Sequence, residues 1–200
     1  MLPMFRRLLQ LYAGLILYGV SMALQIRAGL GLDPWDVFHQ GVSDKTGLSF
    51  GTIVIITGAL VLLAWVPLRQ MPGIGTVSNV FVIGIAVDIT LSLLGDVHGL
   101  GYQVALLTTG VVLNAVAGAA YIGAGLGPGP RDGLMTGLVR KTGGPVGVIR
   151  TSIELSVLAV GFALGGTVGV GTVVYAVSIG PLLQLLLPAF TINEPVPALA

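Results

Sequence analysis

Six apolar runs constrain this chain more than anything else in it. They lie at approximately 8–27, 49–68, 73–95, 103–124, 145–165 and 169–190. A helix of about 20 residues crosses a hydrocarbon core of about 30 Å, so each run is long enough to span a membrane. None shows the period-2 alternation of a barrel wall, and the expected class is all-α: a polytopic helical membrane protein with six transmembrane helices. Composition closes off a soluble bundle. Only 8% of the residues are charged, against about 25% in a soluble domain, and mean hydropathy is +0.99. Too few charges are present to cover a surface facing water, so the lipid bilayer is the expected partner.

The N-terminal Met-Leu-Pro-Met-Phe-Arg-Arg before the first run superficially matches a signal peptide. The apolar stretch from Leu8 to Ile26 exceeds the usual h-region of about 7–15 residues, and no small-residue cleavage site follows, so a retained first span is expected. Orientation follows the basic residues. With the N-terminus in the cytoplasm, Arg6, Arg7, Arg69, Arg131, Arg140 and Lys141 fall on the cytoplasmic side, and Arg27 and Lys45 on the other. That bias predicts both termini in the cytoplasm of a bacterial inner (cell) membrane.

Sliding the chain against itself gives one dominant, ungapped offset of 96 residues. Gly29-Leu30-Gly31 recurs as Gly125-Leu126-Gly127, and Pro34 and Asp36 recur as Pro130 and Asp132. Lys45-Thr46-Gly47 recurs as Lys141-Thr142-Gly143. From Leu11 to Leu91, 28 of 81 aligned positions are identical, which marks a duplicated unit. The expected organisation is repeat 1 at 8–95, repeat 2 at 103–190 and a C-terminal tail at 191–200. An odd number of spans per unit makes the second copy enter the membrane from the opposite side. The charges agree, since the linker after the first span nets −1 and its copy +2. This is the inverted-repeat plan of many secondary transporters.

Each unit carries a punctuated segment after its first span, GLGLDPWDVFHQGVSDKTG and GLGPGPRDGLMTGLVRKTG. Gly29, Gly31, Gly125 and Gly127 break the preceding helix, while Pro34 and Pro130 suit the first turn of a new one. The new helices, expected at about 34–45 and 130–141, are too short to cross, so they are broken, re-entrant or interfacial elements. Such paired breaks point to a transporter's binding site. Two readings of Asp36 and Asp132 stand: carboxylates that cap the short helices, or ligands for a substrate or ion in a central cavity. Asp33 is the expected N-cap. His39 and Trp35 suit an interfacial helix with an aromatic belt anchor rather than a metal site, since the copy has Met135.

Ionisable residues inside spans are costly, at about 2.5–3.5 kcal/mol each near a helix centre, and are expected in the bundle interior or a wet cavity. Asp88, Arg150 and Glu154 are such residues, and Arg150 and Glu154 are spaced to pair on one helix face. All three depart from the repeat, with Gln184, Val54 and Gly58 at the equivalent positions. They join Asp36 and Asp132 as candidate substrate- or ion-binding residues, alongside their reading as structural pairs. Asn79, Asn114 and Gln25 are expected to hydrogen-bond between helices, and the small residues of NAVAGAAYIGAG, including Ala119 and Gly123, to form a helix contact.

The stretch GLGLDPWDVFHQGVSDKTGLSFGT, followed by PGIGTVSNVFVIGIAVD, resembles the YczE/YitT-like group of small bacterial integral membrane proteins over approximately residues 8–190. The resemblance implies the multi-pass architecture and a bacterial inner-membrane setting. Some relatives have been classed as candidate small-molecule exporters, and no functional residue set comes with the resemblance.

The leading expectation is therefore a secondary transporter or exporter of an unidentified small organic molecule. A second is an accessory or substrate-capturing subunit of a larger complex. A membrane enzyme is less favoured: the chain has two histidines, no cysteine and no nucleotide motif. No cofactor, metal or nucleic-acid partner is expected. A chain of 200 residues is small for a complete carrier, which leaves room for a homodimer.

Overall fold

The computed structural model describes residues 2–192. Among them the chain forms eight helices and no strands: α1 (Leu2–Ala28), α2 (Pro34–Thr46), α3 (Phe50–Leu68), α4 (Ile74–Leu93), α5 (Leu100–Gly123), α6 (Pro130–Thr142), α7 (Val146–Ala163) and α8 (Val170–Phe190). All but α2 and α6 are long and apolar enough to cross a membrane. Their outer faces expose side chains such as Leu63, Phe81, Leu93, Phe162 and Leu185, a surface suited to lipid. The expected tail at 191–200 lies outside the described residues apart from Thr191 and Ile192.

The first helix starts earlier than its apolar run, and Arg7 in that early part is held inside. Its guanidinium is buried and donates to the carbonyl oxygens of Ala124 at 2.5 Å and Ile192 at 3.2 Å, satisfying groups at the end of α5 and beyond α8. The centre of the molecule is the α1–α5 pair. These helices run antiparallel, with Gly14 against Tyr121 and Gly110 against Gln25. The small residues of α5 bury as expected, and Gly123 packs on the carbonyl of Phe190, which places this contact within one chain.

The contacts come in copies at the 96-residue offset. Helix α4 packs on α1 and α8 on α5, while α2 packs on α7 and α6 on α3. The Gly75 N–H donates to Leu126 O at 2.8 Å, and Gly171 N–H donates to Leu30 O at 2.7 Å. These four residues are two equivalent pairs, so each half supplies the other's partner. The glycines between α1 and α2, and between α5 and α6, allow this close approach. Gly31 (φ 113°) and Gly127 (φ 125°) are in a backbone region that L side chains rarely adopt. A Cβ on Gly31 would lie 2.6 Å from Gly169 N, and one on Gly127 2.7 Å from Thr76 Oγ1.

One interface breaks the symmetry. Helix α3 packs along α4, and a Cβ on Gly51 would lie 1.9 Å from the Gly84 carbonyl oxygen. Asp88 latches this contact by accepting from Gly51 N–H at 2.7 Å and from the Ser49 hydroxyl at 2.5 Å. In the second half, α7 and α8 make no comparable contact. Gly147 and Gly180, equivalent to Gly51 and Gly84, have open space where a Cβ would stand, and Gln184 replaces Asp88.

Candidate functional site

The two short helices begin inside the bundle. Asp33 caps α2 by accepting from Trp35 N–H at 2.9 Å and Asp36 N–H at 3.0 Å, and Pro34 follows in the first turn. In the copy Gly129 takes the cap position without a side-chain bond, and Pro130 opens α6. Each short helix ends on a left-handed glycine, Gly47 or Gly143. The start of α2 is buried and its last turn exposed, so the helix climbs from the interior to the surface.

The cap relieves Asp36 of the backbone. Its carboxylate turns to side chains instead: Oδ1 lies 3.1 Å from His39 Nδ1 and 3.6 Å from Arg131 Nη2. Arg131 Nη1 is also 3.8 Å from Asp33 Oδ1, and its guanidinium stacks 5.0 Å from the Trp35 ring centroid. Arg131 therefore ties the start of α6 to the start of α2, across the two repeats. Burial holds the Asp33 carboxyl well above the usual carboxylate range, with Asp36 acting in the same direction and Arg131 against it. Burial, reinforced by Arg131, keeps His39 below its ordinary pKa. A neutral His39 donates its Nδ1–H to Asp36.

Beside this cluster opens a cavity of about 380 Å³ reaching from α1 and α5 to the space between α7 and α8. Asp33, Arg131 and Asp132 line it, with Tyr18, Tyr121 and Tyr175 from the long helices. Asp132 accepts from the Tyr121 hydroxyl at 3.2 Å. Arg150 and Glu154 line the cavity as a pair, Arg150 Nε to Glu154 Oε1 at 3.0 Å, both partly exposed.

Of the candidates named from the sequence, Asp132, Arg150 and Glu154 line one cavity, and Asp36 lies directly behind Arg131 at its wall. Asp88 is placed elsewhere, at the α3–α4 contact, where its carboxylate serves backbone and hydroxyl donors near the start of α3. Gly29, Gly31, Gly125 and Gly127 all take positive φ at the breaks, as their pattern predicts, with Pro34 and Pro130 opening the short helices.

The surroundings of α2 correct the interfacial reading. Trp35 is 8% and His39 1% exposed, so neither is a belt anchor: both face the bundle, and His39 packs edge-on against Phe50. Asn114 bonds between helices as expected, donating to Ser21 Oγ and accepting from the Tyr175 hydroxyl, each at 2.9 Å. Gln25 instead donates within α1, to Ser21 O. Asp33 and Arg131 were not among the ligand candidates. Arg131 stands where the first copy has Trp35, and such a departure from the repeat is the signal that finds it.

The fold and this interior define a multi-pass α-helical membrane protein with a polar cavity among its spans. Within that class, the chain belongs to the family described as "Family of unknown function (DUF6198)", whose model matches residues 5–188. An uncharacterized protein of Haemophilus influenzae is 37% identical over 173 residues, covering 86% of this chain and 79% of its own length. The uncharacterized membrane protein YczE of Bacillus subtilis is 36% identical over 180 residues, 88% of this chain and 83% of its own. The uncharacterized protein YyaS of the same organism is 24% identical over 179 residues, 88% and 89% respectively. No solved structure matches.

Proposed function

We propose that the protein is a secondary transporter or exporter of a small organic molecule, working by alternating access between two inverted repeats in a bacterial inner membrane. One observation carries this reading: equivalent helix pairs of the two halves differ in state around a shared cavity. The α3–α4 pair is shut by Gly51, Gly84 and Asp88, while α7 and α8 stand apart at Gly147 and Gly180. A carrier with inverted halves exchanges such states, each half in turn adopting the packing of the other. With both termini cytoplasmic, the shut pair lies toward the outside and the parted pair toward the cytoplasm.

Charge distribution and the antiparallel α1–α5 pair support the inversion. Single cysteines are introduced easily, because the chain has none. Ser43→Cys and Val139→Cys, equivalent positions in α2 and α6, are expected to react with a membrane-impermeant maleimide from opposite faces of oriented vesicles, Val139→Cys from the cytoplasmic face. Labelling of both from one face would remove the inversion. Transport itself is tested with purified protein in proteoliposomes loaded with a broad mixture of radiolabelled metabolites. At least one class is expected to move faster than in empty liposomes when a pH or sodium gradient is applied. Absence of any flux under either gradient would sink the transporter reading and favour an accessory subunit.

A further inference from the structure

We propose that the cavity takes an organic ammonium compound, a protonated amine on an aromatic or apolar body, with Asp132 as its counter-ion. The inference rests on the transporter reading only in taking this cavity as the substrate site.

The duplication supplies an internal control. Each half places a carboxylate at the third position of its short helix, Asp36 in one and Asp132 in the other. In the first half that carboxylate is 2% exposed and served twice, by His39 as donor and by Arg131 as cation. In the second half the equivalents of these partners carry no charge, because Met135 replaces His39 and the residue corresponding to Arg131 is Trp35. Asp132 receives the Tyr121 hydroxyl at 3.2 Å and, among the described residues, forms no ion pair. The cavity's two cations make their close contacts with other carboxylates: Arg131 faces Asp33 and Asp36, and Arg150 holds Glu154 at 3.0 Å while feeling the Asp132 charge only from beyond ion-pair distance.

Asp132 is half-buried at the cavity wall, and a carboxylate partly withdrawn from water gains from a partner of opposite charge. The cavity thus presents a carboxylate that no cation among the described residues meets at ion-pair distance, which leaves that contact to a ligand. Its size and walls select among cations. About 380 Å³ falls within the range of small-molecule sites, roughly 300–1,000 Å³. Tyr18, Tyr121 and Tyr175 line the same space, and aromatic faces attract ammonium groups through their negative quadrupole. A bare metal ion would want several convergent ligands, and among the described residues no three His, Cys, Asp or Glu side chains gather to hold one.

The test measures binding to the purified full-length protein in lipid nanodiscs by calorimetry. The probes are tryptamine, benzyltrimethylammonium and indole-3-propionate, an anion built on the same ring as tryptamine. At least one of the two cations is expected to bind saturably and indole-3-propionate not to bind. Asp132→Asn, which keeps an acceptor for Tyr121, should weaken cation binding at least tenfold, and Asp132→Glu should retain part of it. A monodisperse Asp132→Asn protein that binds the cations like the parent overturns the proposal, as does binding of indole-3-propionate alone or failure of both cations. A sodium titration forms the remaining arm: Asp132-dependent stabilisation by sodium with no amine binding would assign the site to an inorganic ion and overturn the organic one. Flux separates the two readings. Cation binding without flux in proteoliposomes leaves the site standing and removes transport. Flux of an anion or neutral solute that survives Asp132→Asn leaves transport standing and removes the site.

Discussion

Arg131→Gln is expected to be the most damaging single polar substitution in the interior, lowering stability by about 3 kcal/mol. Asp33 and Asp36 are 4% and 2% exposed, and Arg131 is the cation that both of them meet. Removing one member of a buried charge cluster typically costs about 3–5 kcal/mol, because the remaining charge is left without compensation. The lower end applies here, since the Arg131 side chain is 30% exposed and water can reach part of the vacated space. The damage should be conditional. In an Arg131→Gln/Asp36→Asn double variant the second change removes the stranded charge while keeping an oxygen to accept from His39, so much of the loss should return. Thermal unfolding in detergent gives the four corners of this cycle. A coupling of about 1.5 kcal/mol or more between the two positions is the expected result. Additive losses would mean that Arg131 acts through its stacking on Trp35, at 5.0 Å from the ring, and not through the carboxylates.

That cluster also marks where sequence reasoning stops. The spans, the helical class and the two short helices were legible because each rests on local chemistry: uninterrupted apolar runs, glycines with positive φ, and prolines in first turns. Ionisable residues inside spans were visible as anomalies, and the Arg150–Glu154 pair follows from helical spacing alone. Partners separated by about a repeat length are another matter. Nothing near Asp36 in the chain announces Arg131, because the contact exists only once α6 of one half meets α2 of the other. Trp35 reads as an interface anchor for the same reason, since its burial depends on Val61, Trp65 and Arg131 arriving from elsewhere. Asp88 shows the converse. Its charge inside a span suggests a ligand, yet its oxygens go to Gly51 N–H and the Ser49 hydroxyl on the neighbouring helix. For Arg131 and Asp88 the departure from the repeat is the usable signal, since Trp35 and Gln184 stand at the equivalent positions. A residue that breaks a duplication has been released from its copy's role, and Arg131 and Asp88 both sit where the halves no longer behave alike.

Cysteines at Gly147 and Gly180 are expected to trap the opposite state and stop transport. The equivalent glycines of the first half are in contact, with Gly51 close against the Gly84 carbonyl, whereas nothing stands within 4 Å of a Cβ at Gly147 or Gly180. A disulfide needs Cα atoms closer than about 7 Å. With α7 and α8 parted the pair is not held in bridging position, and its formation reports an excursion toward the α3–α4 packing that stops short of it, because a Cβ on Gly51 would already meet the Gly84 carbonyl oxygen at 1.9 Å. Copper-phenanthroline should cross-link Gly147→Cys/Gly180→Cys slowly in an otherwise unchanged chain. The rate should rise when the latch is removed, because Asp88→Ala forfeits two hydrogen bonds to a charged group. Such bonds contribute about 1.5–3 kcal/mol each, so the loss of even one shifts the balance between the two states roughly tenfold or more. Reduction should restore any flux that cross-linking abolishes, which separates trapping from damage. If the cysteines never bridge, with or without Asp88, the parted helices are a fixed feature of the fold. The difference between the halves is then architecture, and the cavity opens to one side only.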